Sequence, residues 1–421
     1  MIKEKLQNIK SSHQANLENR GSDNLPQGWE IKRLEDVVEF QRGLTYSKKD
    51  EVDFSDNIVL RSNNVDLIKN ELDFTELKYI NPAIEVQESK KVKKGSLLIC
   101  TANGSKSHLG KVALIDDDYN YAFGGFMGQV TPKEKLDSKF LFYLMTSDNY
   151  KKFINELSDG ANINNLKFSD LGQFEIPLPP LPEQQRIVSI LDEAFAAIAK
   201  AKANAEQNLK NAKELFESYL QEVFDKKGDG WEEKTLNQIS ENLDSKRVPI
   251  TKSKRKSGDI PYYGASGIVD YVSDYLFDED LLCISEDGAN LIARTYPIAF
   301  SISGKTWVNN HAHVLRFPNI ITQKFVEAYI NSIKIDDYVS GMAQPKLNQA
   351  MLNKIPIPFP PLEEQQTIVR QLDALRAETQ KLEALYQKKI DNLEELKKSI
   401  LQKALSGELS GGEPIESITE N

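Results

Sequence analysis

IPLPPLPEQQRIVSIL, residues 176–191, and IPFPPLEEQQTIVRQL, residues 357–372, are one segment written twice at an offset of 181 residues. Each copy opens with a proline-rich turn and runs into a long helical pattern. Solenoid repeats recur every 20–50 residues or so, and this period is far longer. It predicts two globular units, each followed by its own helix, and a function that uses two similar sites.

The duplication extends upstream. LLICTANG at 97–104 aligns with LLCISEDG at 281–288 at an offset of 184, Gly160 and Leu166 answer Gly341 and Leu347 at 181, and Gly28-Trp29-Glu30 answers Gly230-Trp231-Glu232 at 202. The shrinking offset places extra residues of the first unit between Ile58 and Lys94. The division that follows is a polar N-terminal segment at 1–24, one globular domain at 25–180, a helix at 181–227, a second domain at 228–360, a second helix at 361–408 and an acidic tail at 409–421.

Both helices show an apolar stripe. From Ile187 it runs through Leu191, Ala194, Ile198, Ala201, Ala205, Leu209, Ala212, Phe216, Tyr219 and Val223 in alternating steps of three and four, the spacing of a coiled-coil seam. The second runs through Ile368, Leu372, Leu375, Leu382, Tyr386, Leu393, Leu396 and Ile400 and ends before Gly407. Pro182 and Glu183 mark the first start, and Lys226-Lys227-Gly228 marks its end. About 40 residues make about 60 Å of helix, more than one small core requires. Two such stripes can join two chains as a dimer; because both lie in one chain, an intramolecular antiparallel pair is the expectation preferred here.

A chain of 421 residues with 40% hydrophobic content suits two ordinary cores plus such helices. No run approaches the roughly 18 apolar residues of a membrane span, and MIKEKLQNIKSS has no signal-peptide core, so a cytoplasmic location without membrane contact is expected. The two cysteines, Cys100 and Cys283, fall in apolar runs and are expected to be buried thiols. Strand-like runs at 58–60, 96–101, 111–115, 281–285, 298–302 and 313–317, with helical patterns near 138–156 and 322–333, give a mixed α/β class for the two domains.

Catalytic motifs are missing. Four histidines without CxxC or HExxH spacing argue against a zinc hydrolase, and His311-Ala312-His313 would alternate across a strand, so neither a metal site nor a catalytic residue is assigned. No Asn/Asp-Pro-Pro-aromatic tetrapeptide of adenine methylation occurs. The stretch 299–306, AFSISGKT, fits a permissive phosphate-loop pattern, which would make Lys305 essential to a nucleotide hydrolase. The residues after it, Trp307-Val308-Asn309-Asn310-His311, read as strand or loop rather than the required helix.

Nucleic acid is the better chemical lead despite a net charge of -10. Residues 245–257 contain Lys246, Arg247, Lys252, Lys254, Arg255 and Lys256 and no acid. Lys90-Lys91-Val92-Lys93-Lys94 forms a second basic run, preceded by Arg42, Lys48, Lys49 and Arg61. Loop residues able to address bases or phosphates accompany them: Asn63, Asn64, Asn103, Ser105, Lys106 and His108 in the first unit, and Asn290, Lys305, Asn309 and Asn310 in the second. Either set is also compatible with a solvated surface. Trp29 and Trp231 read as packing residues.

With its paired Glu183-Gln184-Gln185 and Glu364-Gln365-Gln366, the approach GMAQPKL at 341–347, and IPYYGASG at 260–267 followed by NNHAHV at 309–314, the chain resembles the specificity subunits of type I restriction-modification enzymes from Gly28 to about Leu409. In the first unit the approach is altered to GANINNL at 160–166. The resemblance implies two target recognition domains, each reading half of a bipartite asymmetric sequence in double-stranded DNA, with the gap set by two long helices packed as an antiparallel coiled coil. It implies docking of two DNA adenine methyltransferase subunits and of restriction/translocase subunits, with the Glu-Gln repeats serving scaffold and docking. S-adenosylmethionine, ATP and Mg would belong to those partners and no cofactor to this chain. The alternative class is a coiled-coil interaction scaffold without DNA specificity.

Overall fold

The computed structural model describes residues 25–159, 165–228, 230–341 and 343–409. The chain divides into two compact units, 1–203 with 390–421, and 204–389. The long helices, Leu181–Asp225 and Leu362–Ser406, are each continuous through 45 residues, so each unit contains part of both. This differs from the sequence-based division, which ends each domain where its helix begins.

In the first unit, β1 (Glu30–Arg33), α1 (Leu34–Val37), β2 (Val38–Arg42), β3 (Glu51–Val52), β4 (Ile58–Leu60) and β5 (Lys78–Ile80) are followed by β6 (Leu97–Cys100), β7 (Val112–Leu114), β8 (Ala122–Phe123) and β9 (Met127–Pro132). Then come α2 (Ser138–Thr146), α3 (Asp148–Asp159), α4 (Phe168–Leu171) and β10 (Glu175–Leu178). The main sheet has the order β2-β9-β6-β7, a second has β3-β5-β4-β8 with β4 and β8 parallel, and β1 pairs with β10. The helical pattern near 138–156 is broken at Ser147, whose hydroxyl donates to Leu144 O and accepts from Tyr150 N, ending one helix as the next begins.

The second unit repeats the plan: β11 (Glu232–Lys234), α5 (Leu236–Ile239), β12 (Glu241–Asn242), β13 (Ile260–Gly264), β14 (Gly267–Val272), β15 (Phe277–Asp278), β16 (Leu281–Ser285), α6 (Asn290–Ala293), β17 (Ala299–Ile302), β18 (Lys305–Val308), β19 (Ala312–Arg316), α7 (Ile320–Ser332), α8 (Gln349–Leu352) and β20 (Ile357–Phe359). Its main sheet is β12-β19-β16-β17, and β14-β13-β18-β15 again contains one parallel pair, β13 with β18. The extra residues of the first unit lie largely between β4 and β5, at 61–77, where the second unit has only Ala265 and Ser266 between β13 and β14.

Sheet register corrects one part of the repeat alignment. Leu97 opposes Val130 on β9 and packs with Ile99 into the helix-side core, while Leu98 and Cys100 face the other cluster. In the second unit it is Leu282 and Ile284 that face the helices, and Leu281 and Cys283 that face away. Leu97 therefore corresponds to Leu282, an offset of 185 rather than 184. A slip of one residue would turn every side chain to the wrong face. Both cysteines are free and buried on the same side; burial pushes the Cys100 thiol up to about 11 and raises that of Cys283.

Each unit also shows how the helices pair. In the first, Ile187, Leu191 and Ile198 of the first helix share a core with Ile400, Ala404 and Leu405 of the second, and Lys202 Nζ lies 2.5 Å from Glu394 Oε1. In the second, Leu220 and Phe224 share a core with Ile368, Val369 and Leu372, Tyr219 donates to Gln371 Oε1 at 3.0 Å, and Arg376 sits over the Phe216 ring. The start of one helix meets the end of the other in each case, so the two pack antiparallel. Each apolar side chain fully buried this way contributes about 1.5–3 kcal/mol before entropy is counted.

Candidate nucleic-acid interface

Backbone hydrogen bonds define equivalent loop tips in the two units. Thr101 N donates to Phe126 O and Leu166 N to Thr101 O; in the second unit Glu286 N donates to His311 O and Leu347 N to Glu286 O. The β8–β9 turn of the first unit thus matches the β18–β19 turn of the second, and Phe126 stands where His311 stands. Around the first tip, Asn103 Nδ2 donates to Ser62 Oγ at 2.9 Å and Gly124 N donates to Leu60 O, which gathers 61–62, 103 and 124–126.

Several sequence candidates are exposed cations or amides. Arg42, Lys48, Lys106, Lys246, Lys254 and Lys256 are exposed, as are Asn63, Ser105 and Asn310. Lys305 is exposed with its ammonium 4.8 Å from the Tyr275 ring centroid. Arg61 is half-buried, and its Nε has no hydrogen-bond partner among the described residues.

Other candidates hydrogen-bond within the chain. Asn64, 1% exposed, accepts from Arg61 N and donates to Asp73 O and Glu76 O, folding the 61–77 insertion. Asn290 accepts from Thr295 N and Tyr296 N and donates to Tyr296 O. Asn309 is buried and its Oδ1 accepts from His311 N. Arg255 donates to Asp270 and Ile250 O and lies 4.3 Å from the Tyr262 ring centroid. Arg247 is enclosed by Glu286 at 2.7 Å, Asp244 at 3.5 Å and Ala312 O. Each of these five makes hydrogen bonds within the chain that hold its own loop.

Arg247 belongs to a buried charge network that sequence reasoning missed. His313 is 1% exposed; its Nδ1 faces Asp244 Oδ2 at 2.6 Å and its Nε2 faces Leu347 O at 2.8 Å. Desolvation works to raise the Asp244 carboxyl, but the hydrogen bond and charge of His313, the Val314 N–H and the Arg247 charge outweigh it and hold it below its ordinary range. Glu286 is likewise held low against its burial, by Arg247, His313 and Lys346. Asp244, Glu286 and His313 have metal-ligand chemistry and converge within 4.8 Å. The positive charge at that place is supplied by Arg247 and by Lys346, 3.2 Å from Glu286. His311, two residues along the chain, pairs separately with Asp287 at 2.8 Å.

Of the residues expected to serve scaffold and docking, Gln184 and Gln365 are buried. Gln184 accepts from Asp137 N and donates to Lys135 O and Pro179 O; Gln365 accepts from Thr322 Oγ1 and donates to Pro360 O. They pin the start of each long helix to the region where α2 and α7 begin. Glu183 pairs with Arg186 and Glu364 accepts from Trp231 Nε1, leaving Gln185 and Gln366 as the exposed members. Residues 160–164 of the altered approach lie outside the described residues, while the phosphate-loop lookalike splits into strands β17 and β18 around Gly304, with no helix following.

The chain matches the family described as type I restriction modification DNA specificity domain over residues 26–210 and 228–395, and it belongs to that family. It is 27% identical over 433 residues to the EcoKI specificity subunit of Escherichia coli K12, covering 92% of this chain and 90% of that protein. The StySPI specificity subunit of Salmonella potsdam is 25% identical over 93% of this chain and 91% of its own. A Haemophilus influenzae relative, a putative specificity subunit, is 33% identical over 46% of this chain, which spans about half of that protein's length. In fold, the chain resembles the HsdS subunit of Thermoanaerobacter tengcongensis, with a TM-score of 0.61 at 20% identity over 92% of this chain and 99% of that one. A chain from a solved type I restriction-modification assembly gives 0.72 at 20% identity, over 90% and 98%. The relatives are specificity subunits, which recognise DNA rather than catalyse.

Proposed function

We propose that each unit reads one half of a bipartite, asymmetric sequence in double-stranded DNA, and that the paired helices set the gap between the halves. The observation carrying this reading is the repetition of one sheet plan with different residues at its loop tips, which is what two readers of unlike half-sites require. The helix starts, with exposed Gln185 and Gln366, are offered as docking surfaces for two adenine methyltransferase subunits, with restriction/translocase subunits completing the assembly in the cytoplasm. S-adenosylmethionine, ATP and Mg are assigned to those partners.

Co-expression with a neighbouring methyltransferase and mapping of methylated adenines tests the reading. A split motif is expected, and shortening both long helices should change its gap while keeping both halves. Changed half-site bases at a constant gap would overturn the ruler. Lys246, Lys254 and Lys256 changed to Ala should weaken DNA binding by the assembled methyltransferase and reduce its salt slope by about 0.9 for each phosphate no longer neutralised. Unchanged affinity and slope would remove these lysines from the interface.

A further inference from the structure

Phe126 is 74% exposed, although it sits in an otherwise rigid turn. Its carbonyl accepts from Thr101 N at 3.0 Å, Ala102 N at 3.0 Å and Thr101 Oγ1 at 2.9 Å. Glycines permit the close approach that fixes this turn: a Cβ on Gly43 would come 2.1 Å from Gly124 O. The main chain is therefore anchored while a large apolar ring is held in water, an arrangement that core packing does not explain. The equivalent His311 is also exposed, its Nδ1 paired with Asp287 and its Nε2 without a partner among the described residues.

We infer that Phe126 and His311 are specificity-determining residues, meeting bases of the two half-sites through different chemistry. The inference rests on the proposed DNA-reading function and deepens it. A phenyl ring can stack on a base or press on a thymine methyl but cannot hydrogen-bond, whereas an imidazole with Nδ1 held by a carboxylate presents Nε2 to a base edge. Arg61, next in sequence to Leu60 whose carbonyl accepts from Gly124 N, adds positive charge to the same loop cluster. Anchoring the main chain beforehand lowers the ordering cost at binding.

The test uses the assembled complex with its methyltransferase subunits and fluorescent duplexes carrying the mapped site, each with one base pair altered. F126A should lower affinity for the mapped site about 5- to 150-fold, the range for removing one base–aromatic stack. It should flatten discrimination at one or two adjacent base pairs of a single half-site, with discrimination in the other half intact. H311A should do the converse, and F126W should retain more affinity than F126A. Thermal melting should be unchanged, since the ring is exposed. F126A that keeps full affinity and every base preference would overturn the inference, as would a loss equal on mapped and scrambled duplexes. A wild-type complex that does not distinguish mapped from scrambled duplex would instead overturn the DNA-reading function beneath it.

Discussion

At one matched position the two units solve the same packing problem in opposite ways. In the first, β9 carries Gly128 opposite Arg42 of β2, and the space is filled by Phe168, which stacks on Phe40 at 4.9 Å and lies under the Arg42 guanidinium. In the second, the corresponding residue is His313, opposite Asp244, and the space is filled by the network of Asp244, Arg247, Glu286 and Lys346. The backbone plan tolerates either an aromatic plug or a set of paired charges, provided every polar atom is satisfied. Loops hung on that plan can then change without moving the strands.

The largest effect is expected from breaking the charge network. H313A leaves a buried carboxylate facing an emptied site and should cost about 3–5 kcal/mol, read by chemical denaturation with hydrogen exchange localising the loss to the second unit. A loss spread equally over both units would show that the network is not local. G128A comes next: its Cβ would lie 2.6 Å from Phe168 Cζ, and displacing the stacked ring should cost about 1–3 kcal/mol in the first unit.

Gln184 and Gln365 sharpen the comparison further, since here the units agree. Q184A strands Asp137 N, Lys135 O and Pro179 O, and Q365A strands Thr322 Oγ1 and Pro360 O; each should cost about 1–3 kcal/mol, Q184A the more. Gln185 or Gln366 changed to Ala should stay within about 0.5 kcal/mol, so any defect they cause in methyltransferase assembly reports docking. The smallest effect is on pH. Asp244 and Glu286 are held below their unfolded values of about 3.9 and 4.3, so their contribution is complete above that range and lost as pH falls through the lower folded values. Acidification below about pH 4 should therefore weaken the second unit more than it does in a D244N variant. Parallel acid curves for wild type and variant would contradict this.

The long helices, the repeat and most strands were legible because periodicity survives in sequence when one face must be buried: predicted strand runs at 58–60 and 281–285 coincide with β4 and β16. Partner choice was not legible. Nothing in the basic run 245–257 distinguishes Arg247, enclosed by two carboxylates, from exposed Lys254, because the acids that claim it lie upstream at Asp244 and far downstream at Glu286. Asn64 and Asn290 look like free loop amides until the turns they hold are seen. Phe126 carried one overlooked signal, a lone aromatic after Gly124-Gly125 in register with Asn309-Asn310-His311, visible only once the offset is set to 185.

The compact units do not respect chain order. The second is one uninterrupted stretch, 204–389, whereas the first is assembled from 1–203 and 390–421, stitched by hydrogen bonds such as that from Arg186 to Leu409 O. A gene segment spanning 204–389 is therefore a cassette: exchanging it replaces one unit whole, with both joints inside helices. Replacing the other unit demands two simultaneous splices whose products must still fit each other, so the two halves of the molecule are unequally easy to swap.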